Sequence, residues 1–142
     1  MKRNSNFIFL LSMISTLFFF FSCKENKQIE YRDIDLAKVE RLNQQIEEKG
    51  ITSLEDIAQL YRPKDSYTEG NYSYEVMTQE KDKTFEVSIK EEGLMDDSLY
   101  GILTLIELKK NTEKKWEAIS IKEAYKCWPN RGHQEWSPEF CN

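Results

Sequence analysis

Hydrophobic residues recur at helical spacing in the region that follows residue 33. The apolar positions are Leu36, Val39, Leu42 and Ile46, separated by three, three and four residues. Polar residues occupy the opposite side, so this spacing predicts an amphipathic helix, which Asp33 or Asp35 could cap and Gly50 could end. Fewer than three heptads are present, so we expect the helix to pack within its own domain rather than in a coiled coil.

A second, shorter helix is predicted directly afterwards. Ser53 and Asp56 stand at the spacing of a capping-box variant, and Pro63 is suited to stop the helix. The apolar positions between them share one helical face and are Leu54, Ile57, Ala58 and Tyr61. The two helices are therefore expected to be separate and closely spaced.

From residue 72 the period of the pattern becomes two. The alternating apolar positions are Tyr72, Tyr74 and Val76, and then Phe85, Val87 and Ile89. This alternation predicts two half-buried strands, joined by a hairpin turn at 79–83.

Two further strands are predicted beyond residue 98. The run 99–108 is apolar on both faces, which is typical of an interior strand covered on each side or contacting a partner. A turn at 111–113 leads to a fourth strand at 116–121. The expected fold class is α+β, with two N-terminal helices packed on a four-stranded antiparallel meander sheet.

The N-terminus has the three parts of a secretory signal. Lys2 and Arg3 provide a cationic start, the run 7–21 is apolar except for two serines and a threonine, and Ser22 precedes Cys23. The 15 residues of that run would reach only about 22 Å as a helix, against a hydrocarbon core of about 30 Å. We therefore expect residues 1–22 to be a cleaved signal peptide.

The sequence Phe20-Phe21-Ser22-Cys23 resembles the lipobox of bacterial lipoprotein precursors. This resemblance implies that Cys23 is diacylated, becomes the N-terminus after cleavage and is then N-acylated, with palmitate among the chains. It implies a membrane-anchored bacterial lipoprotein. We expect its location to be the cell envelope of a Gram-negative bacterium, in the outer membrane. The membrane is thus the first expected partner, through the acyl chains on Cys23.

The length and net charge of the mature chain limit the number of domains and the class of partner. Removing residues 1–22 from the 142 leaves 120, enough for one domain. We expect a flexible tether at 23–32 and a single α+β domain at 33–142. The chain has a net charge of −5, which becomes −7 when Lys2 and Arg3 are removed with the signal. This charge argues against nucleic acid as a partner.

Once Cys23 is assigned to lipid, Cys127 and Cys141 remain as an even pair. The envelope is oxidising, so a disulfide between them is expected. It would close a loop of about 15 residues, for which chain entropy predicts roughly 3 kcal/mol of stabilisation.

The segment between these cysteines contains the densest candidate chemistry. Two of the three Trp residues and the single His lie there, and the proposed binding residues are Trp128, Arg131, His133 and Trp136. The Cys127, Arg131-Gly132-His133 and Cys141 arrangement resembles the tails of small bacterial envelope proteins to which no reaction is assigned. The resemblance therefore implies an envelope location and does not indicate a reaction.

The expected function is a non-enzymatic binding or interaction module for an envelope protein or glycan, without cofactor or metal. One alternative is an inhibitor or hydrolase in which His133, oriented by Glu135 or Glu139, activates Ser137. Zinc on Cys127, His133 and Cys141 is disfavoured because structural zinc needs a fourth ligand and reduced thiols. A further alternative is that the disulfide-closed loop only stabilises a small exported domain and binds nothing.

Overall fold

A computed structural model of the chain describes residues 28–66 and 70–142. The predicted signal peptide, Cys23 and the predicted tether up to residue 27 lie outside the described residues.

Two helices and five strands follow one another along the described chain. They are β1 (Arg32–Asp33), α1 (Leu36–Lys49), α2 (Leu54–Tyr61), β2 (Ser73–Lys81), β3 (Thr84–Glu92), β4 (Leu99–Lys110) and β5 (Trp116–Cys127). All neighbouring strands are antiparallel, in the order β1-β5-β4-β3-β2. The predicted α+β class is confirmed, and β2 to β5 form the expected meander.

The predicted strand count of four is wrong, because β1 adds a fifth strand beside β5. Arg32 pairs with Glu123 and Asp33 pairs with Lys122. A strand of two residues is too short to show an alternating pattern, and only its pairing with β5 defines it.

Local capping signals set the helix ends. The Asp35 side chain accepts a hydrogen bond from the Ala37 N–H at 2.9 Å, and the Ser53 hydroxyl accepts one from the Asp56 N–H at 3.0 Å. Gly50 ends α1 in the left-handed conformation with φ +61°. Within the described ranges, we find no helix long and apolar enough to cross a bilayer.

Alternate residues of each strand point to opposite faces of the sheet. On one side, which we call the core face, buried strand residues form one hydrophobic cluster with residues of both helices. Its members are Val39, Leu42, Ile46, Ile57, Ala58, Val87, Ile89, Ile106, Leu108, Ala118 and Ile121. The opposite side, which we call the outer face, carries Met77, Ser88, Lys90, Leu103, Leu105 and Lys126.

The last strand is longer than predicted. It was expected at 116–121 and continues to Cys127. Ile121, Glu123 and Tyr125 continue the period of two on the core face, and all three are buried. The carboxylate of Glu123 interrupts the apolar pattern, which is why hydrophobicity alone ends the strand too early.

Candidate functional site

The segment 127–141, which we call the closing loop, is closed by the predicted disulfide. Cys127 and Cys141 are bonded, with their Cα atoms 5.5 Å apart, so this prediction is confirmed. Gly132 lies against the bridge with φ +143°, and a Cβ there would meet the Cys127 Sγ at 2.8 Å. Asn130 also has a positive φ, of +68°. The loop therefore folds tightly around its disulfide.

The imidazole of His133 is engaged with the backbone of its own loop. Nδ1 lies 2.9 Å from the Glu135 carbonyl oxygen, and Nε2 lies 2.9 Å from the Glu139 carbonyl oxygen. The Cys127 Sγ is 3.6 Å from Nε2. Both ring nitrogens thus lie against backbone carbonyl oxygens of the loop, and a neutral imidazole can donate its one N–H to either of them.

The other predicted binding residues point in different directions. Trp128 packs edge-on against Tyr100, with ring centroids 4.7 Å apart. Arg131 is exposed, and its backbone N–H donates to the Trp128 carbonyl at 3.0 Å. Only His133 and Trp136 line the same cavity, a space of about 480 Å³ beside residues 28–30. The four residues do not form one binding site.

Trp136 connects the closing loop to the outer face of the sheet. A Cβ on Gly101 of β4 would lie 3.1 Å from the Trp136 ring. Lys126 of β5 lies 5.8 Å from the Trp136 ring centroid and 5.1 Å from that of Tyr100. Gly101 therefore allows the indole to lie close to the strand, beside a lysine that both rings can attract.

A cavity of about 850 Å³ lies on the outer face. We call it the outer groove. Its apolar lining comes from three parts of the chain: Ile29 and Tyr31 before β1, Met77, Leu103 and Leu105 of the sheet, and Trp136 of the closing loop. Burial raises the pKa of the Tyr31 hydroxyl. Segments that are far apart in sequence therefore form the groove together, over an apolar floor.

The charged side chains that line the outer groove, Lys81, Glu86 and Lys90, are paired and partly exposed, the last of them with Glu92 beside the groove. Lys81 contacts Glu86 at 2.7 Å and Lys90 contacts Glu92 at 2.7 Å, and Lys126 reaches the same Glu92 at 3.0 Å. Burial alone would raise the pKa of Glu92, but the two lysines outweigh it and hold that pKa below its ordinary value. The polar rim is therefore already satisfied by the protein.

A second polar site, which we call the arginine cluster, lies on the core face at the end of α2. Arg62 contacts Glu123 at 2.9 Å through Nη2 and Glu91 at 3.2 Å through Nη1, and its Nε donates to Thr104 at 3.2 Å. Glu91 and Glu123 are 4% and 5% exposed. Two buried carboxylates thus share one guanidinium.

Tyrosine hydroxyls complete the arginine cluster. Tyr72 donates to Glu91 at 2.9 Å, while Tyr61 and Tyr125 donate to Glu123 at 3.2 and 2.9 Å. Burial first, and then the contact with Glu91, raises the pKa of Tyr72 to about 12. The pKa values of Tyr61 and Tyr125 are raised by burial and by Glu123. The hydroxyls therefore stay protonated and remain donors.

Sequence reasoning missed the arginine cluster, although a signal was present. Glu91 follows Phe85, Val87 and Ile89 at the same spacing of two, and Glu123 follows Ile121 in the same way. An acid at an inward-facing position of a strand is unusual because a buried charge needs a partner. The presence of an acid at an inward-facing position could have predicted that both carboxylates are buried and need a partner. It could not have identified Arg62 as that partner.

The contacts around the closing loop also bear on the catalytic and metal alternatives. His133 meets the backbone carbonyls of Glu135 and Glu139, and no hydrogen bond joins it to the Ser137 hydroxyl within the described residues. The ligand atoms of Cys127, His133 and Cys141 lie within 4.8 Å of one another. The disulfide occupies both sulfur atoms, so these three residues could hold a metal only in the reduced chain.

No family model, no curated protein and no solved structure matches this chain.

Proposed function

We propose that this chain is the precursor of a lipid-anchored envelope lipoprotein whose mature part is a non-enzymatic binding domain. Residues 1–22 would be the export signal and Cys23 the acylated N-terminus, in the outer membrane of a Gram-negative bacterium. The support is the cationic start, the short apolar run and the cysteine that follows Ser22. In this proposal the two helices pack across one face of the sheet and leave the other for a partner.

The outer groove is the observation that carries the binding proposal. Leu103 is 7% exposed beneath the segment 28–31 and Trp136, whereas Met77 is 59% exposed at the groove's edge. A space of about 850 Å³ is within the usual range of binding sites, about 300–1,000 Å³. An apolar floor with a satisfied polar rim suits an apolar segment of an envelope protein, inserted beside Trp136.

The proposed anchor and the outer groove would lie close together. Residue 28 lines the groove and is five residues from Cys23. Five residues of fully extended chain span at most about 17 Å. An acylated Cys23 would therefore hold the groove near the membrane surface, where it would meet other anchored proteins.

Mass spectrometry of the protein purified from its native membrane tests the anchor. The expected result is a chain that begins at an acylated Cys23 and contains a disulfide between Cys127 and Cys141. A chain that retains residues 1–22, or that carries an unmodified Cys23, would contradict the anchor.

Photo-crosslinking in the native cells tests the groove. A photoreactive residue in place of Met77 is expected to give a defined adduct, and one in place of the exposed Glu40 of α1 is expected not to. Leu105→Lys should abolish the adduct because it puts a charge on the groove floor. Ile119→Lys is the matched control, since Ile119 is 40% exposed and lies outside the groove. Equal adducts from both positions, or an adduct insensitive to Leu105→Lys, would overturn the proposal.

A further inference from the structure

A third cavity opens in front of the arginine cluster. Its volume is about 450 Å³, and it lies between α1 and the end of α2. Glu91 and Glu123 contribute to its floor, Tyr61 and Arg62 to its wall, and Lys38 and Arg41 of α1 to its rim. The cavity is separate from the outer groove, and the two share no lining residue.

The floor of this cavity has more negative than positive charge. Glu91 and Glu123 face one cation, Arg62, so the buried groups have a net charge of −1. The Glu91 Oε2 atom is at ion-pair distance from Arg62, 3.2 Å, yet it accepts no hydrogen bond from the described residues. Because a buried carboxylate oxygen without a hydrogen bond is costly, the floor is suited to an added ammonium group.

The rim of the cavity has the opposite charge. Lys38 and Arg41 are three residues apart on α1, so they lie on neighbouring turns of one face. Both are exposed, and neither forms a salt bridge to any residue in the described ranges. Two unpaired cations above an anionic floor are suited to an acidic group and would attract it from solution.

We propose that this cavity binds a small zwitterion, with its ammonium group against Glu91 and its acidic group at Lys38 and Arg41. The ligand chemistry is that of a free amino acid or short peptide, or of an ethanolamine phosphate headgroup. A volume of about 450 Å³ accommodates any of these. The ligand would supply a hydrogen-bond donor to the Glu91 Oε2 atom and an anion to Lys38 and Arg41 of the rim.

Calorimetric titration of the full chain in mild detergent tests the ligand class. The zwitterionic probes are L-alanine, L-alanyl-L-alanine and phosphoethanolamine. Each probe has two matched analogues, one without the ammonium group and one without the acidic group. They are the N-acetylated and amide forms of the two alanine probes, and ethyl phosphate and ethanolamine for phosphoethanolamine. We expect saturable binding of at least one zwitterion and at least about tenfold weaker binding of its analogues, since each lost contact is with a charged group. Binding of the alanine probes alone would assign a free amino acid or peptide, and of phosphoethanolamine alone a headgroup.

Variants test whether the ligand is in this cavity. Glu91→Gln keeps the side-chain shape and removes the floor charge, and Lys38→Gln with Arg41→Gln removes the rim charge. We expect each to weaken zwitterion binding by about tenfold or more. Lys83→Gln, in the exposed β2–β3 turn, is the control and should leave binding unchanged. If Glu91→Gln fails to fold by circular dichroism, the exposed rim variant still decides the question.

Absence of saturable binding for every zwitterion up to 10 mM would overturn the proposal. Analogues that bind as tightly as their parent, or unchanged binding in the rim variant, would do the same. None of these three outcomes bears on crosslinking from the outer groove, so the two proposals can fail independently of each other.

Discussion

Glu91 and Glu92 are neighbours on β3, and they point to opposite faces of one sheet. On the core face, Glu91 is 4% exposed and, together with Glu123, shares the single cation Arg62. On the outer face, the Glu92 side chain is 18% exposed and contacts two lysines, Lys90 and Lys126. The core face therefore buries two acids with one base, and the outer face exposes one acid to two bases.

This difference shows that the same residue type has different consequences on the two faces. Water can reach the outer cluster and replace a missing partner, so each of its ion pairs contributes little. Glu91 and Glu123 are only 4% and 5% exposed, so losing Arg62 would leave two largely buried carboxylates without their cation. The comparison predicts a large effect of substitution on the core face and a small one on the outer face.

Arg62→Met is expected to have the largest effect. It keeps much of the side-chain volume but removes the cation, and we expect a loss of about 3–5 kcal/mol in the free energy of unfolding. Lys126→Met is the matched variant on the outer face and should cost at most about 1 kcal/mol. Urea denaturation of both variants measures the difference. Similar losses in the two would mean that the faces do not differ as described.

Loss of the disulfide is expected to have the second largest effect on stability, because the closing loop contacts both faces of the sheet. Phe140 packs on Tyr125 of the core face with centroids 4.6 Å apart, and Trp136 lies on Gly101 of the outer face. Replacing both Cys127 and Cys141 with Ser should cost about 3 kcal/mol, the entropy of opening a loop of about 15 residues. The same loss should appear when the wild-type chain is denatured with a reductant. A double-serine variant as stable as the oxidised wild type would show that the bridge does not support the fold.

Alkaline pH is expected to act on the core face through its tyrosines. The folded-state pKa of Tyr72 is about 12, above the ordinary value of 10. The stability linked to this shift is complete below pH 10 and is lost as pH rises from 10 to 12, because the unfolded chain releases the proton first. The slope for one such proton is at most about 1.4 kcal/mol per pH unit.

Denaturation at several pH values, with tyrosinate absorbance followed at 295 nm, measures this loss. In Tyr72→Phe the stability should fall less steeply between pH 10 and 12, since one titrating group is absent. An unchanged slope would show that Tyr72 does not contribute to the loss of stability between pH 10 and 12.

Breaking an outer-face ion pair should have the smallest effect. Lys81 and Glu86 are in contact, but their side chains are 50% and 26% exposed. Lys81→Ala should change stability by at most about 1 kcal/mol, and the change should shrink further in 1 M salt. A salt-independent loss above 2 kcal/mol would show that the outer face is less accessible to water than its exposure indicates.

Several features could be predicted from sequence because they depend on nearby residues. Asp35 and Ser53 cap their helices through hydrogen bonds to amides two and three residues away. Gly50 provides the left-handed conformation that ends α1. The period of two predicted β3 and most of β2, although β2 continues to Lys81 through part of the turn expected at 79–83, and the continuous apolar run predicted β4. The even number of remaining cysteines predicted the bridge between Cys127 and Cys141.

Other features arise only when distant segments meet. Arg62 reaches Glu123 across 61 residues and Thr104 across 42, and neither partner is marked by any pattern near Arg62. The outer groove likewise combines residues before β1 with the sheet and with Trp136. The sequence by itself determined the helices, most of the strands and the disulfide, since hydrogen bonds between neighbours and side-chain period specify them. Tertiary structure alone decided β1, the outer groove and the arginine cluster, because burial and long-range pairing determine which charges share a partner.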